Sequence, residues 1–263
     1  MGPRPAVLVI AGSDSSGGAG LVRDVQTLES QGAAALCAVT AVTAQTDGRV
    51  LGVVAVPPEQ VRAQIEAAFA TRPIGAVKIG MLVGRATLEA VADALQHAPA
   101  VPVVLDPVLR ASSGATLLED PGFERLRARL FPLTTVLTPN LPEAAALCAE
   151  PYVEDEADAA RRLEWGRQLL AQGPRAVLIK GGHASGATAA DVLLRPGVAP
   201  VWLSGSRLAA GRRGTGCALA SALAAALAAG ADVETACRRA RAHVRALLEA
   251  AQGEAAERTA TLE

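Results

Sequence analysis

The sequence predicts an α/β protein with a mostly parallel central sheet and helices on both faces, and three observations carry that prediction. Short, near-continuous runs of Val, Ile and Leu, such as "AVLVIAG", "AVKIGML", "VPVVLDPV", "TVLTPN" and "AVLIKGG", have the pattern of strands buried on both faces. Helical patterns lie between several of them, and strand–helix alternation is the signature of a parallel sheet with crossovers. Polar and glycine-bearing residues follow the apolar runs, where an open parallel sheet binds its ligand, beyond the carboxyl ends of the strands.

In chain order, "AVLVIAG" opens the sheet and leads through "GSDSSGGAG" (Gly12 to Gly20) into the helix "GLVRDVQTLESQG", stopped by Gly32. The run "AVTAVTAQ" ends at Gln45, and Pro58 marks the start of the helix "PEQVRAQIEAAFATR". "AVKIGML" and the helix "RATLEAVADALQHA" follow, then "VPVVLDPV", whose proline ends the ladder. "TVLTPN", the helix "EADAARRLEWGRQLLAQG" with its stop at Gly173, and "AVLIKGG" complete the parallel part. The Pro- and Gly-interrupted segment "ADVLLRPGVAPVWLSGSRL" reads as a hairpin or edge strands, ahead of the final helices "GTGCALASALAAALAAG" and "DVETACRRARAHVRALLEAAQ". The polar residues from about Gly253 are expected to fray, and residues 1–263 read as one domain.

The bulk numbers narrow the function. With 263 residues, 51% of them hydrophobic, the chain has ample material for one large core. A net charge of −1 and 2% aromatic residues argue against nucleic acid as a ligand, since such binders present a basic face or stacking aromatics. Cys37, Cys148, Cys217 and Cys237 form no CxxC pair and no Cys/His cluster of zinc spacing, so they read as reduced cytosolic thiols. No apolar run has the length of a membrane span or the build of a secretory leader, and a cytoplasmic location is expected. The basic residues number 25, yet only Lys78 and Lys180 are lysines, each inside a β-branched run. A chain that otherwise uses arginine keeps lysine where a compact point charge is wanted.

The strand-end residues suggest the chemistry. The Gly/Ser loop exposes backbone N–H groups to a polar ligand, but it is neither a P-loop nor an in-register GxGxxG, and a plain strand-to-helix turn is the alternative. Asp24, one turn into the following helix, and Gln45 offer groups that read amino and ring-nitrogen atoms; Asp24 equally suits a first-turn carboxylate that complements the helix dipole. Asp106 in "LDPV" and Asn140 and Glu143 in "TPNLPEA" end adjacent strands and together suit a magnesium ion carrying waters and substrate phosphates, although Asn140 and Glu143 also fit a helix cap. Lys180 in "IKGGH" suits a phosphate contact, and His183 has no histidine or cysteine partners for a metal.

"RRGTGCALASAL" places Gly214, Thr215 and Gly216 at the mouth of a helix whose first N–H groups lack intrahelical partners, an anion hole by construction. The same field lowers the pKa of a thiol, so Cys217 is expected to be partly thiolate at neutral pH; a buried structural thiol is the alternative.

In this order, "GSDSSGGAG", "TAVTAQ", "VKIGML", "LDPV", "TPNLPEA", "IKGGH" and "GTGC" resemble the hydroxymethylpyrimidine/phosphomethylpyrimidine kinases of thiamine biosynthesis, over about Ala6 to Leu248. The resemblance implies a ribokinase-like three-layer sandwich. It also implies ATP- and Mg2+-dependent phosphorylation of the pyrimidine alcohol and then of its monophosphate, and a homodimer. Carried over by motif, Asp24, Gln45 and Met81 are pyrimidine contacts with Gly12 and Val108 nearby. Asp106 and Glu143 organise magnesium and phosphate, Asn140 and Lys180 contact the nucleotide, Gly214 to Gly216 form the anion hole, and Cys217 stands where most ribokinase-like sugar kinases carry an aspartate base. The chain departs from the pattern twice: Ser112, two residues after Arg110, replaces the usual lysine after "DPV", and the short run before "GTGC" ends in Arg212 and Arg213, candidate phosphate clamps. A pyridoxal kinase and a non-catalytic pyrimidine-phosphate binding protein are the competing readings.

Overall fold

The computed structural model describes residues 4–109, 120–153, 158–182, 186–208 and 213–261. The elements in chain order are β1 (Ala6–Asp14), α1 (Gly20–Ser30), β2 (Ala34–Gln45), β3 (Val50–Ala55), α2 (Pro58–Thr71), β4 (Ala76–Ile79), α3 (Gly84–His97) and β5 (Val103–Leu105), followed by α4 (Asp120–Arg125), β6 (Val136–Leu137), α5 (Leu141–Leu147), α6 (Ala159–Leu170), β7 (Val177–Ile179), β8 (Thr188–Arg195), β9 (Val198–Ser206), α7 (Thr215–Ala228) and α8 (Val233–Thr261). They build one sheet in the order β3-β2-β1-β4-β5-β6-β7-β8-β9. From β2 to β7 the neighbours are parallel; β3, β8 and β9 add antiparallel edges.

The strand patterning explains the three layers. Along β1, Ala6, Leu8 and Ile10 enter a core shared with Val61 and Ile65 of α2, Leu88 and Val91 of α3, Leu141 of α5 and Trp165 of α6. The alternate residues Val7, Val9 and Ala11 enter a second core with Leu21 and Leu28 of α1, Leu219 and Leu223 of α7, and Ala236 and Cys237 of α8. A strand with two buried faces needs apolar residues at every position, and its sequence supplies them.

Helix α7 is buried at every position from Ala218 to Leu227. Its alanines let it lie close to neighbouring backbone: a Cβ on Gly75 would stand 3.0 Å from the Ala228 Cβ. The leucines of the same helix fill the remaining space, so truncating the fully buried Leu223 to alanine would cost about 2–5 kcal/mol.

Three features differ from the sequence-based expectation. No strand was expected between Gln45 and Pro58, yet the chain turns at Asp47 and Gly48 and returns as β3, antiparallel to β2. A helical stretch was not anticipated at Asp120–Leu133; α4 continues there through a π turn (Leu126–Leu130) and a short 3-10 turn (Phe131–Leu133). Finally, α8 passes Gly253 and continues to Thr261. The segment read as a hairpin or edge strands forms β8 and β9.

Candidate active site

The first β-strand and the seventh helix meet through glycines. Gly20 has φ +56° and Gly214 has φ +75°, a region costly for other residues. A Cβ on Gly20 would lie 2.3 Å from the Gly12 carbonyl oxygen, and one on Gly214 would lie 2.3 Å from that of Gly18. The Gly/Ser loop and the turn before α7 are therefore packed backbone to backbone. Gly214 is the N-cap of α7, and the Ala218 N–H donates the first intrahelical bond to its carbonyl, 2.9 Å away. The amides of Thr215, Gly216 and Cys217 precede that bond and have no turn behind them to accept, which is the arrangement an anion needs.

At the same end of the sheet, Lys180 follows β7 and reaches the carboxylate that ends β5. Its Nζ is 2.7 Å from Asp106 Oδ1 and 3.9 Å from Glu143 Oε2. A Cβ on Gly216 would stand 3.3 Å from Lys180 Nζ and 3.5 Å from Asp106 Oδ2, so the start of α7 touches this group directly. Thr138 donates its hydroxyl to Asp106 Oδ1 at 3.3 Å. Asp191 accepts from the Gly181 N–H at 2.8 Å and is bridged to Arg241 at 2.6 Å, which fixes the turn just after Lys180. A Cβ on Gly181 would sit 1.9 Å from the Ala190 carbonyl oxygen, so only glycine permits that close approach.

Glu143 has two tasks. With Asn140 it makes a capping box at the start of α5: its Oε2 accepts from the Asn140 N–H, and its own N–H donates to Asn140 Oδ1, each at 2.8 Å. The helix-cap alternative for this motif is thus present, and the Asn140 carbonyl oxygen is committed to it. Burial pushes the Glu143 carboxyl up to about 7, with Lys180 pulling it down and Asp106 pushing it further up. Burial also works against the Lys180 ammonium, but Asp106 and Glu143 outweigh it and raise its pKa.

Three of these side chains have surroundings that the sequence did not show. Asp24 is fully buried, its Oδ2 accepts from Lys78 Nζ at 2.8 Å and its Oδ1 accepts from the Ser221 hydroxyl at 2.8 Å. Its separation from Lys78 by 54 positions hides this pairing in the sequence. Cys217 is not poised as a thiolate. Burial pushes its thiol up to about 11, although Lys78 and the Gly20 N–H pull the other way; for this half-buried thiol, desolvation outweighs the field of a helix terminus. Arg213 is not a free phosphate clamp. It donates to the Thr46 carbonyl at 2.9 Å and the Ser16 hydroxyl at 3.1 Å, and it is bridged to Asp14 at 3.2 Å and Asp47 at 3.3 Å. It fastens the turn before α7 to the Gly/Ser loop and to the β2–β3 turn.

The remaining positions group as follows. Gly12 and Met81 are neighbours, since a Cβ on Gly12 would lie 3.0 Å from Met81 Sδ, and the Met81 carbonyl is held by the Thr40 hydroxyl at 2.7 Å. Gln45 is half-buried at the end of β2, held through its backbone by Ser15, which leaves its side chain near Thr43. Val108 is half-buried two residues after Asp106. Arg110, Ser112, His183 and Arg212 lie outside the described residues.

A magnesium ion fits the chemistry of these donors. One ammonium faces two carboxylates at Asp106, Glu143 and Lys180, and once Glu143 gives up its proton the group carries an excess negative charge that a hard cation would meet. No set of three or more His, Cys, Asp or Glu suited to a metal occurs among the described residues. Two carboxylates are nonetheless enough for magnesium, which keeps several waters and takes further oxygens from substrate phosphates. No described helix is long and apolar enough to cross a membrane.

Comparison with known proteins agrees with this geometry. Residues 14–259 match the model of the phosphomethylpyrimidine kinase family. A hydroxymethylpyrimidine/phosphomethylpyrimidine kinase of Streptomyces coelicolor is 44% identical over 91% of this chain and 87% of its own length. A thiamine biosynthesis bifunctional protein of Geobacter sulfurreducens is 38% identical over 95% of this chain, which spans 50% of that longer protein. Among solved structures, a phosphomethylpyrimidine kinase from Clostridium difficile superposes with a TM-score of 0.79 at 32% identity, covering 93% of this chain and 100% of that one. A pyridoxal kinase from Staphylococcus aureus in complex with ADP gives a TM-score of 0.84 at 28% identity, covering 93% and 88%. With the family model spanning most of its length and the Streptomyces coelicolor kinase matched over 87% of its own, the chain belongs to the phosphomethylpyrimidine kinase family.

Proposed function

We propose that this protein is an ATP-dependent kinase that phosphorylates 4-amino-5-hydroxymethyl-2-methylpyrimidine and then its monophosphate, giving the pyrophosphate used in thiamine biosynthesis. The observation that carries this reading is the Asp106–Lys180–Glu143 group set against the N-terminus of α7. Phosphoryl transfer needs positioning and charge neutralisation more than covalent chemistry, and these groups supply both. The Lys180 ammonium and the Gly214–Gly216 turn hold the charge of the transferring phosphoryl group. Asp106 and Glu143 would hold magnesium, which brings positive charge to the nucleotide phosphates. Gly12, Gln45, Met81 and Val108 form the pyrimidine side of the crevice, and Asn140 lies beside Lys180 on the nucleotide side. In the second phosphorylation the acceptor is a phosphate monoester with a second pKa of about 6, already an anion at neutral pH. A neutral Cys217 is no handicap there.

The pyridoxal kinase alternative is favoured by one observation, the TM-score of 0.84 to the Staphylococcus aureus enzyme. ADP release with ATP and magnesium, measured side by side with hydroxymethylpyrimidine, its monophosphate and pyridoxal, decides between the readings. Turnover with the pyrimidines is expected. Turnover with pyridoxal alone would move the protein to vitamin B6, and binding of the pyrimidine phosphate without turnover with any acceptor would make it a binding protein. The homodimer implied by the family is tested by the mass of the protein in solution.

A further inference from the structure

The kinase reading leaves Arg213 without a task, yet its guanidinium ties together three segments that are far apart in the chain. Nη1 donates to the Thr46 carbonyl at 2.9 Å and to the Ser16 hydroxyl at 3.1 Å, and Nη2 meets Asp14 Oδ2 at 3.2 Å. Asp14 is buried and engaged on its other side as well, where Oδ1 accepts from the Ser16 N–H at 2.9 Å and from the Ser16 hydroxyl at 2.8 Å. Asp47, also within reach at 3.3 Å, is 91% exposed and adds little. With Asp14 balancing its charge, Arg213 holds backbone in place. On the side of β1, the ladder to β2 ends where Thr43 pairs with Asp14. Past that point Gln45 is held by the Ser15 hydroxyl, through its N–H at 2.8 Å and its carbonyl at 3.0 Å, and the next residue, Thr46, is held by Arg213. Arg213 also directly precedes Gly214, the N-cap of α7, in a turn that cannot slide: a Cβ on Gly214 would lie 2.3 Å from the Gly18 carbonyl oxygen and 3.2 Å from the Ala19 Cα. One side chain thus spans from the mouth of α7 to the end of β2.

We propose that Arg213 is a positioning residue that sets which acceptor the site favours, by fixing the separation between the pyrimidine side at Gln45 and the anion hole at Gly214 to Gly216. The choice of acceptor rests on the kinase reading above, which gives those two ends their ligands; the tie between them does not. In both phosphorylations an acceptor oxygen must stand in line with the γ-phosphorus and the leaving ADP oxygen. In the alcohol that oxygen sits on the methylene attached to the ring. In the monoester it lies two bonds further out, past the ester oxygen and the phosphorus. One rigid separation does not suit both, because a misplacement of about 1 Å costs on the order of 10²-fold in rate. The tie draws the end of β2 towards the mouth of α7, which suits the shorter acceptor, the alcohol. Its loss gives the longer monoester the room it needs.

The test compares the parent with Arg213→Met and with the double variant Arg213→Met, Asp14→Asn, which removes both charges and leaves no buried carboxylate unpaired, so that it folds even where the single variant does not. Turnover of the alcohol and of the monoester at saturating ATP and magnesium gives the ratio of their kcat/KM values, and peptide-resolved hydrogen exchange reports on the Gly/Ser loop and the β2–β3 turn. The ratio of alcohol to monoester should fall about tenfold. Exchange should quicken in the loop and the turn and stay as it was in the buried part of α7. An equal loss with both acceptors, which is all that a smaller fraction of folded enzyme would produce, or a rise in the ratio, would overturn the acceptor role. Unchanged exchange in the folded double variant would overturn the tie itself. If the parent turns over neither pyrimidine, the kinase reading fails and the acceptor role with it, while the exchange result still decides whether Arg213 joins the two turns.

Discussion

The two lysines of this chain make opposite bargains with carboxylates. Lys78 meets one partner, Asp24, in full burial, and a serine hydroxyl completes the carboxylate's bonding. Lys180 meets two, Asp106 and Glu143, with 13% of its side chain still exposed. The first site is balanced and closed, so it can only be broken. The second gains a spare negative charge once Glu143 gives up its proton, and it has an opening, so it can bind something. Burial of a charge is therefore no guide to function unless the charges around it are counted.

The largest effect is expected where the balance is complete. Lys78→Met leaves Asp24 buried without its cation and should cost about 3–5 kcal/mol in urea unfolding. A loss below about 1 kcal/mol would show that Asp24 regains water and that the site is not closed. Lys180→Met should act on rate: a turnover loss on the order of 10²–10³-fold is expected. Its stability change should be smaller than that of Lys78→Met, because Glu143 can take up a proton at little cost. Equal stability losses in the two variants would erase the contrast.

The pH dependence sharpens it further. Between about pH 4.5 and 7 folded Glu143 holds a proton that the unfolded chain has released, so its contribution to stability is present below that window and is lost as pH rises through 7. Magnesium competes with the same proton, so its apparent affinity, read by calorimetry with nucleotide present, should rise as pH climbs from 6 to 8. Glu143→Gln should flatten that rise. The smallest effect is expected from Ser221→Ala, about 1 kcal/mol of stability, since Asp24 keeps Lys78 when it loses the hydroxyl.

What the sequence made legible was local. The apolar runs, the residues that end them, and the glycines before α7 could each be found because strand ends and helix mouths are written in contiguous residues. Asp106, Glu143 and Lys180 were marked that way, and they do meet. Three matters were not legible. The partner of Asp24 depended on how β4 packs against α1. The engagement of Arg213 depended on a turn 166 positions away. The state of Cys217 depended on how much water the completed interior excludes, whereas the helix dipole, a local effect, was visible and pointed the other way. The β2–β3 hairpin was missed for a different reason: the Asp47-Gly48 pair is a turn signal, but the strand after it leaves Leu51 and Val54 exposed and lacks the buried run that marked the others.

The bond between Ser221 and Asp24 spans 197 positions, and it closes late on a growing chain. A ribosome adding about 5 to 20 residues per second needs about 10 to 40 s to travel from one to the other. Throughout most of that interval the N-terminal strands can pair, but the nascent protein has neither the anion hole nor Cys217, and nothing from α7 covers the Asp24 carboxylate. Ligand capture therefore begins only once the seventh helix has left the exit tunnel, and any arrest upstream of it releases a chain that carries most of the sheet and none of the activity.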